Sequence, residues 1–290
     1  MSESSDPYLY PGTAVLRNIA DIRDVETLIA FETLNSGTRM YELRLLPTAG
    51  NFDTGHLKAI HKYIFQDVYP WAGQFRTTLH GKAQFAGGPV TYFTPPHLLE
   101  HEAQRILEGL RRAHLLKGLS RSEFAQKAAH VLVELNNLHP FREGNGRTQR
   151  IFVEALARQA GHAVHFDVVS QERMIRASIL SMAGDSAMMI RLFQEITDSE
   201  RIRPLRRAIE FLAANRFPWN TTYLATATPG QAYVGKLVGR DGTAFMMRTD
   251  SDQIIIGQQA DIPADIRSGE HVSFTARGEA TPGLGGGGGR

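Results

Sequence analysis

The chain has 290 residues, 42% of them hydrophobic, a formal net charge of +2 and no cysteine. That length accommodates one large domain and one small one, and the hydrophobic content supplies a core, which excludes disorder over most of the chain. The charge is too small to argue for a nucleic-acid or membrane partner. The missing thiols exclude disulfides, thiolate metal sites and a thiol nucleophile.

The segment Met1-Ser2-Glu3-Ser4-Ser5-Asp6 is polar and acidic, without the basic start and apolar run of a secretory signal. No apolar stretch approaches the roughly 20 residues of a membrane span. The expectation is a soluble, cytoplasmic chain. Residues 1–12 read as an exposed lead-in. From Arg23 to Ile60 the pattern is helical, with breaks expected near Asn35-Ser36-Gly37 and Pro47-Thr48-Ala49-Gly50. Leu57, Ile60, Ile64 and Phe65 mark an amphipathic helix that ends before Pro70. Residues 77–94 hold Gly81, Gly87, Gly88 and Pro89, then Val90-Thr91-Tyr92-Phe93, and read as a hairpin flap stopped by Pro95-Pro96. Phe93 is expected to pack under it.

A helix follows from His97 to Arg112. Ser120 and Glu123 form a capping box for the next, whose buried stripe runs Phe124, Ala128, Val131, Leu132, Leu135. Pro140 disfavours helical backbone at His139 and ends that helix. Residues 147–160 resume a helix, with Gly161 past its end. Further helices are expected near 170–182, 185–197 and 200–214. After Arg216 the composition changes to alternating short runs, with Asp241-Gly242 as a hairpin turn. The expected fold is mainly α. It consists of a helical domain over 13–215 carrying a β-hairpin flap, a small OB-like β-barrel over 216–280, and a flexible Gly-rich tail over 281–290.

The chemistry concentrates in His139-Pro140-Phe141-Arg142-Glu143-Gly144-Asn145-Gly146-Arg147-Thr148-Gln149-Arg150. A glycine-rich turn before a helix N-terminus turns several N–H groups toward one anion. Gly146 leaves room for phosphate oxygens to approach the backbone. Arg147 and Arg150, three apart on the helix, offer paired phosphate donors. Glu143 beside an anion site calls for a bridging cation, and magnesium is the usual one. Neutral His139 at the loop mouth is a base for an attacking hydroxyl. Asn145 reads in part as a residue that only holds the turn.

These residues match in full the Fic-domain signature His-Pro-Phe-x-(Asp/Glu)-Gly-Asn-Gly-Arg-x-x-Arg, and so many fixed positions make the match specific. Val68-Tyr69-Pro70-Trp71-Ala72-Gly73-Gln74-Phe75-Arg76 is similar to the segment before the Fic flap, and coverage runs over roughly residues 8–215. Core followed by small barrel resembles the translocated Fic effectors of Bartonella. The resemblance implies protein adenylylation, in which ATP donates AMP to a Ser, Thr or Tyr hydroxyl of a target protein. It implies His139 as general base, Glu143 as the Mg²⁺ ligand, and Gly144, Asn145, Gly146, Arg147 and Arg150 as the nucleotide site. It further implies a flap that pairs with the target backbone, here through Lys82, Phe85, Thr91 and Tyr92. For a translocated effector the target class is a host signalling protein such as a small GTPase, and the site of action is the host cytosol.

Many relatives carry an inhibitory (Ser/Thr)-x-x-x-Glu-(Gly/Asn) helix, which this sequence lacks. Thr38…Glu42 has the spacing, but Leu43 follows it. The resemblance therefore implies a separate antitoxin-like partner that supplies a glutamate to Arg150. The competing readings are transfer of a phosphoryl or phosphocholine group by the same fold, and a non-catalytic module that binds through the barrel. Gly146 followed by Arg147 favours AMP. Mixed charge in the barrel argues against nucleic acid.

Overall fold

The computed structural model describes residues 6–83 and 90–277, apart from the side chains of residues 82 and 83. The described residues fall into two compact units, one within Met1–Val164 and Ala177–Thr197, the other within His165–Arg176 and Asp198–Arg290. Among them, no helix is long and apolar enough to cross a membrane.

The first unit is helical. Helix α1, Val25–Leu45, starts at Asp24, whose carboxylate accepts from the Thr27 amide. It runs straight through Asn35-Ser36-Gly37, where the sequence led us to expect a break. Weak helix formers are tolerated there because their polar groups are used inside the helix or against its neighbour. Asn35 donates to the Phe31 carbonyl at 2.8 Å, and Ser36 accepts from Arg147 at 3.0 Å. Helix α2, Thr54–Phe65, buries Leu57, Ile60, Ile64 and Phe65 on one face.

Strands β1, Gly81–Ala83, and β2, Val90–Tyr92, pair antiparallel in the expected flap, with Gly81 opposite Tyr92. Helix α3, Leu99–Arg112, leads to α4, Arg121–Leu138, which carries the Ser120–Glu123 capping box. Helix α5 is Asn145–Ala160 and ends at left-handed Gly161. Helix α6, Gln171–Met182, has its residues up to Arg176 in the second unit and those from Ala177 on in the first, which continues into α7, Ala187–Ile196.

Of the described part of the lead-in, residues 6–12, the two tyrosines and Asp6 pack against the helical unit rather than lying exposed. Tyr8 and Tyr10 are buried, Tyr8 meets Trp71 edge-on at 5.4 Å, and Asp6 pairs with Arg142 at 2.9 Å. An alternating pair of tyrosines buries too much apolar surface to remain in solvent.

The second unit holds α8, Ser199–Ala214, and β3 to β7: Leu224–Thr226, Ala232–Arg240, Ala244–Thr249, Ile254–Gln258 and His271–Thr275. By backbone contacts this unit takes in His165–Arg176 as well as the chain from Asp198 onward. Strands β4 and β5 form the predicted hairpin, and the Asp241 carboxylate accepts from the amides of Thr243 and Ala244. The strand order is β3-β6-β5-β4-β7, with β3 parallel to β6. The expected barrel is not closed. Strand β3 is short and among the described residues its strand partner is β6, while the arginines of α6 and α8 reach it. Arg173 donates to the Leu224 carbonyl at 3.3 Å and Arg201 to the Thr226 hydroxyl at 3.2 Å. Met246 and Met247 lie in the interior of this sheet, as expected of core residues.

Candidate active site

The turn between α4 and α5 is built from three backbone devices. His139 caps α4 in the left-handed region at φ 44°, and Pro140 after it disfavours a further right-handed helical residue. Gly144 opens α5 at φ 83°, and a Cβ there would lie 2.2 Å from the Phe65 ring, so no side chain fits. Asn145 is buried, and its amide closes the turn. Its oxygen accepts from the Phe141 amide at 2.9 Å and its nitrogen donates to the Phe141 carbonyl at 2.8 Å. The side chain of Asn145 thus braces the loop, in keeping with the turn-holding role read from the sequence.

The His139 imidazole is positioned by stacking. It lies flat on Phe93, with ring centres 3.8 Å apart and planes 8° from parallel. Phe93 is buried, as expected. Beneath both sits Arg76, only 2% exposed. Its guanidinium donates to the His139 carbonyl at 2.8 Å and the Thr78 carbonyl at 2.9 Å, and also to Thr94. Burial pushes its pKa down from the usual arginine range. Residues on both sides of the flap are thereby tied to the end of α4.

On the other side of the turn the N-terminus of α5 has no side-chain cap, which leaves its dipole and amides directed at the loop mouth. Gly146 sits in that first turn. A Cβ there would meet only Arg150 Nη1, at 3.8 Å. No packing among the described residues requires glycine here, although glycine costs about 1 kcal/mol in a helix. Space for something outside the protein is the remaining reason. Glu143 Oε1 accepts from the Gly144 amide at 2.8 Å and from Arg147 at 3.3 Å, and the side chain is 43% exposed. Among the described residues no group of three or more His, Cys, Asp and Glu stands ready to hold a metal. A lone accessible carboxylate fits a cation whose other ligands are phosphate oxygens and water.

Arg147 and Arg150 differ. Arg147 is paired to Glu32 and Ser36 of α1 as well as to Glu143, and lies over the Phe65 ring at 4.7 Å. Arg150 has no hydrogen bond or ion pair among the described residues. Burial, with the charge of Arg147 nearby, pushes its pKa down. Glu42, the glutamate with the inhibitory spacing, is occupied elsewhere by Arg39 at 3.0 Å and Tyr63 at 3.0 Å.

In the sequence His61 shows no metal-ligand spacing and carries no assigned role. It is fully buried and stacked on Phe141 at 3.8 Å. Its Nδ1 accepts from the Gly73 amide at 2.8 Å, so Nε2 carries the proton that it donates to the Glu143 carbonyl at 3.0 Å. Burial lowers its pKa from 6.5 to about 3, and burial lowers that of His56 too. Both imidazoles are neutral in the fold but protonate in the unfolded chain below about 6.5. Their contribution is complete above that pH and is lost as pH falls toward 3. Urea titrations at pH 7 and pH 5 are expected to show lower stability at pH 5.

The flap residues Thr91 and Tyr92 lie on β2, and Tyr92 is 62% exposed. Lys82 lies on β1, its side chain outside the described residues, as is Phe85.

A helical core, a flap and this signature turn define a Fic-type nucleotide site. The chain belongs to the Fic/DOC family, whose match covers residues 51–157. It is 43% identical over 183 residues to a probable protein adenylyltransferase, y4lH, of Sinorhizobium fredii, covering 63% of this chain and 91% of that protein. It is 40% identical over 205 residues to the protein adenylyltransferase VbhT of Bartonella schoenbuchensis, covering 69% of this chain but 41% of that protein. The chain thus spans less than half of the longer VbhT. The type IV secretion effector BepA has a solved structure that superposes with a TM-score of 0.85 at 30% identity, over 94% of this chain and 97% of that one. BepC of Bartonella tribocorum, solved with bound AMPPNP, aligns with a TM-score of 0.59 at 34% identity over 66% of this chain and 96% of that one.

Proposed function

We propose that the chain transfers AMP from ATP to a hydroxyl of a protein side chain. The observation that carries this reading is the space left at Gly146 by the described residues, at an uncapped helix N-terminus, with His139 at the other end of the same turn and, one helical turn away, Arg150, which has no hydrogen bond or ion pair among the described residues. BepC holds an ATP analogue, and the two curated relatives above are named as adenylyltransferases, which supports ATP as the donor here.

The target hydroxyl oxygen attacks the α-phosphorus and forms a new P–O bond. The bond from that phosphorus to the bridging α–β oxygen breaks, and pyrophosphate leaves with the electron pair. The hydroxyl proton passes to neutral His139. The amides of α5 and Arg150 hold the phosphates, and Glu143 would hold Mg²⁺, which supplies charge neutralisation when bound. The target segment lies against the flap as an added strand, beside Thr91 and Tyr92. A host signalling protein such as a small GTPase, reached by translocation, is the target class. A separate antitoxin-like partner supplies a glutamate to Arg150.

ATP labelled at the α- or the γ-phosphate separates AMP transfer from phosphoryl transfer. Incubated with a host lysate, the α-label is expected on protein and the γ-label in pyrophosphate. Label on protein from the γ-position alone would replace this reading with a kinase-like one.

A further inference from the structure

We propose that Glu32 is a positioning residue for nucleotide binding, acting through Arg147; this rests on the AMP-transfer reading above. Glu32 lies on the buried stripe of α1, with Leu28, Ser36, Met40 and Leu43. Its side chain is 12% exposed and pairs with Arg147 Nη2. Ser36, one turn later, accepts from Arg147 Nη1 at 3.0 Å. Nη2 also reaches Glu143 Oε1 at 3.3 Å. A chain of contacts therefore runs from α1 through the guanidinium to the carboxylate at the loop mouth.

Two roles are conceivable for such a contact, and they have opposite signs. Glu32 either competes with phosphate for Arg147, or fixes Arg147 where phosphate needs it. Burial favours the second. Burial raises the pKa of Glu32 and the charge of Arg147 offsets that rise, so an Arg147 that swung away would strand a buried carboxylate. The guanidinium need not move to serve an anion. Its Nε–H and the other Nη1–H remain after the bonds to Ser36, Glu32 and Glu143. Its stacking over Phe65 fixes the plane in which these donors lie. Arg147 is thus held in place by the protein with two N–H donors left for an anion, and Arg150, with no such partner among the described residues, adds the second cation of the site. The two signature arginines divide the work.

The test compares wild type with Glu32→Ala, Glu32→Gln and Ser36→Ala. Binding of ATP with Mg²⁺ and of adenosine is measured by calorimetry, and KM and kcat by α-label transfer. Glu32→Ala is expected to weaken ATP binding and raise its KM roughly 10–100-fold, the usual loss when an outer partner of a binding group is removed. Adenosine binding stays unchanged, and kcat falls less than KM rises. Glu32→Gln, which keeps an acceptor for Nη2, recovers most of the loss. Ser36→Ala raises KM by a few fold and covers the case in which Glu32→Ala fails to fold. ATP binding that is unchanged or tighter in the folded variants overturns the proposal. A lower thermal midpoint with normal KM does the same, because it leaves Glu32 a purely structural role. A wild-type chain that binds no ATP would remove the AMP-transfer reading along with it.

Discussion

Replacing His139 by alanine is expected to lower AMP transfer by about 10²- to 10⁴-fold while leaving ATP binding intact. On the proposed mechanism the imidazole serves the end of the turn where the hydroxyl would enter. The groups proposed to hold phosphate, the start of α5 and Arg150, belong to the other end of that turn. The ring's place is set by the flat stack on Phe93 at 3.8 Å, and its backbone by the bond from Arg76 to its carbonyl. Neither constraint involves the nucleotide, so losing the ring is expected to remove the proposed proton acceptor while sparing the groups proposed to hold phosphate. Backbone strain is the one confounding effect, because His139 sits at φ 44° and alanine tolerates that region poorly. Asparagine tolerates it better. His139→Asn is therefore the companion variant, expected to be as inactive as His139→Ala with a thermal midpoint closer to wild type. Initial rates with α-labelled ATP, and calorimetric ATP binding, check both. Wild-type rates in either folded variant would take the base's role from His139.

Most of the site was legible in the sequence because its chemistry is local. His139 to Arg150 lie within one turn and one helix, and a single motif specifies which atoms can meet. The contacts that were not legible are the ones that close over long separations. Nothing in the spacing of Glu32 says that it will meet Arg147. The signal available was a carboxylate and a serine on the otherwise apolar stripe of α1, a combination that needs a buried partner. His61 gave a similar sign, a histidine beside Ile60 and near Ile64 on the inner face of α2, and its tautomer is decided by the backbone at Gly73 and Glu143. Helix α1 ran through Asn35-Ser36-Gly37 because tertiary partners outweigh propensity. The open sheet illustrates the same limit. Alternation identified β4 to β7, but closure depends on whether the short strand β3 finds a second partner. It meets Arg173 and Arg201 instead.

Arg76 carries the largest expected effect on stability. Arg76→Leu is expected to cost about 3–5 kcal/mol, the range for removing one partner from a buried, charge-assisted arrangement. The carbonyls of Leu138 and His139 belong to the last turn of α4, where helix geometry supplies no intrahelical donor. Arg76 covers both, at 3.5 and 2.8 Å, and reaches across to Thr78 and Thr94 on either side of the flap. Leucine fills the volume but leaves these carbonyls without their donor, each at a cost of roughly 1–3 kcal/mol where water cannot enter. A cation at a helix C-terminus is also favoured by the dipole, and that is lost as well. Arg76→Lys separates the two contributions. It keeps the charge, but a single ammonium cannot fan across carbonyls that point from different directions, so most of the loss is expected to remain. Urea unfolding of the three proteins reads the stability. Because the same guanidinium sets both His139 and the flap, the folded fraction of Arg76→Lys is expected to transfer AMP more slowly than wild type. A loss below about 1 kcal/mol for Arg76→Leu, the level of an ordinary single hydrogen bond, would mean that water replaces the guanidinium under the flap.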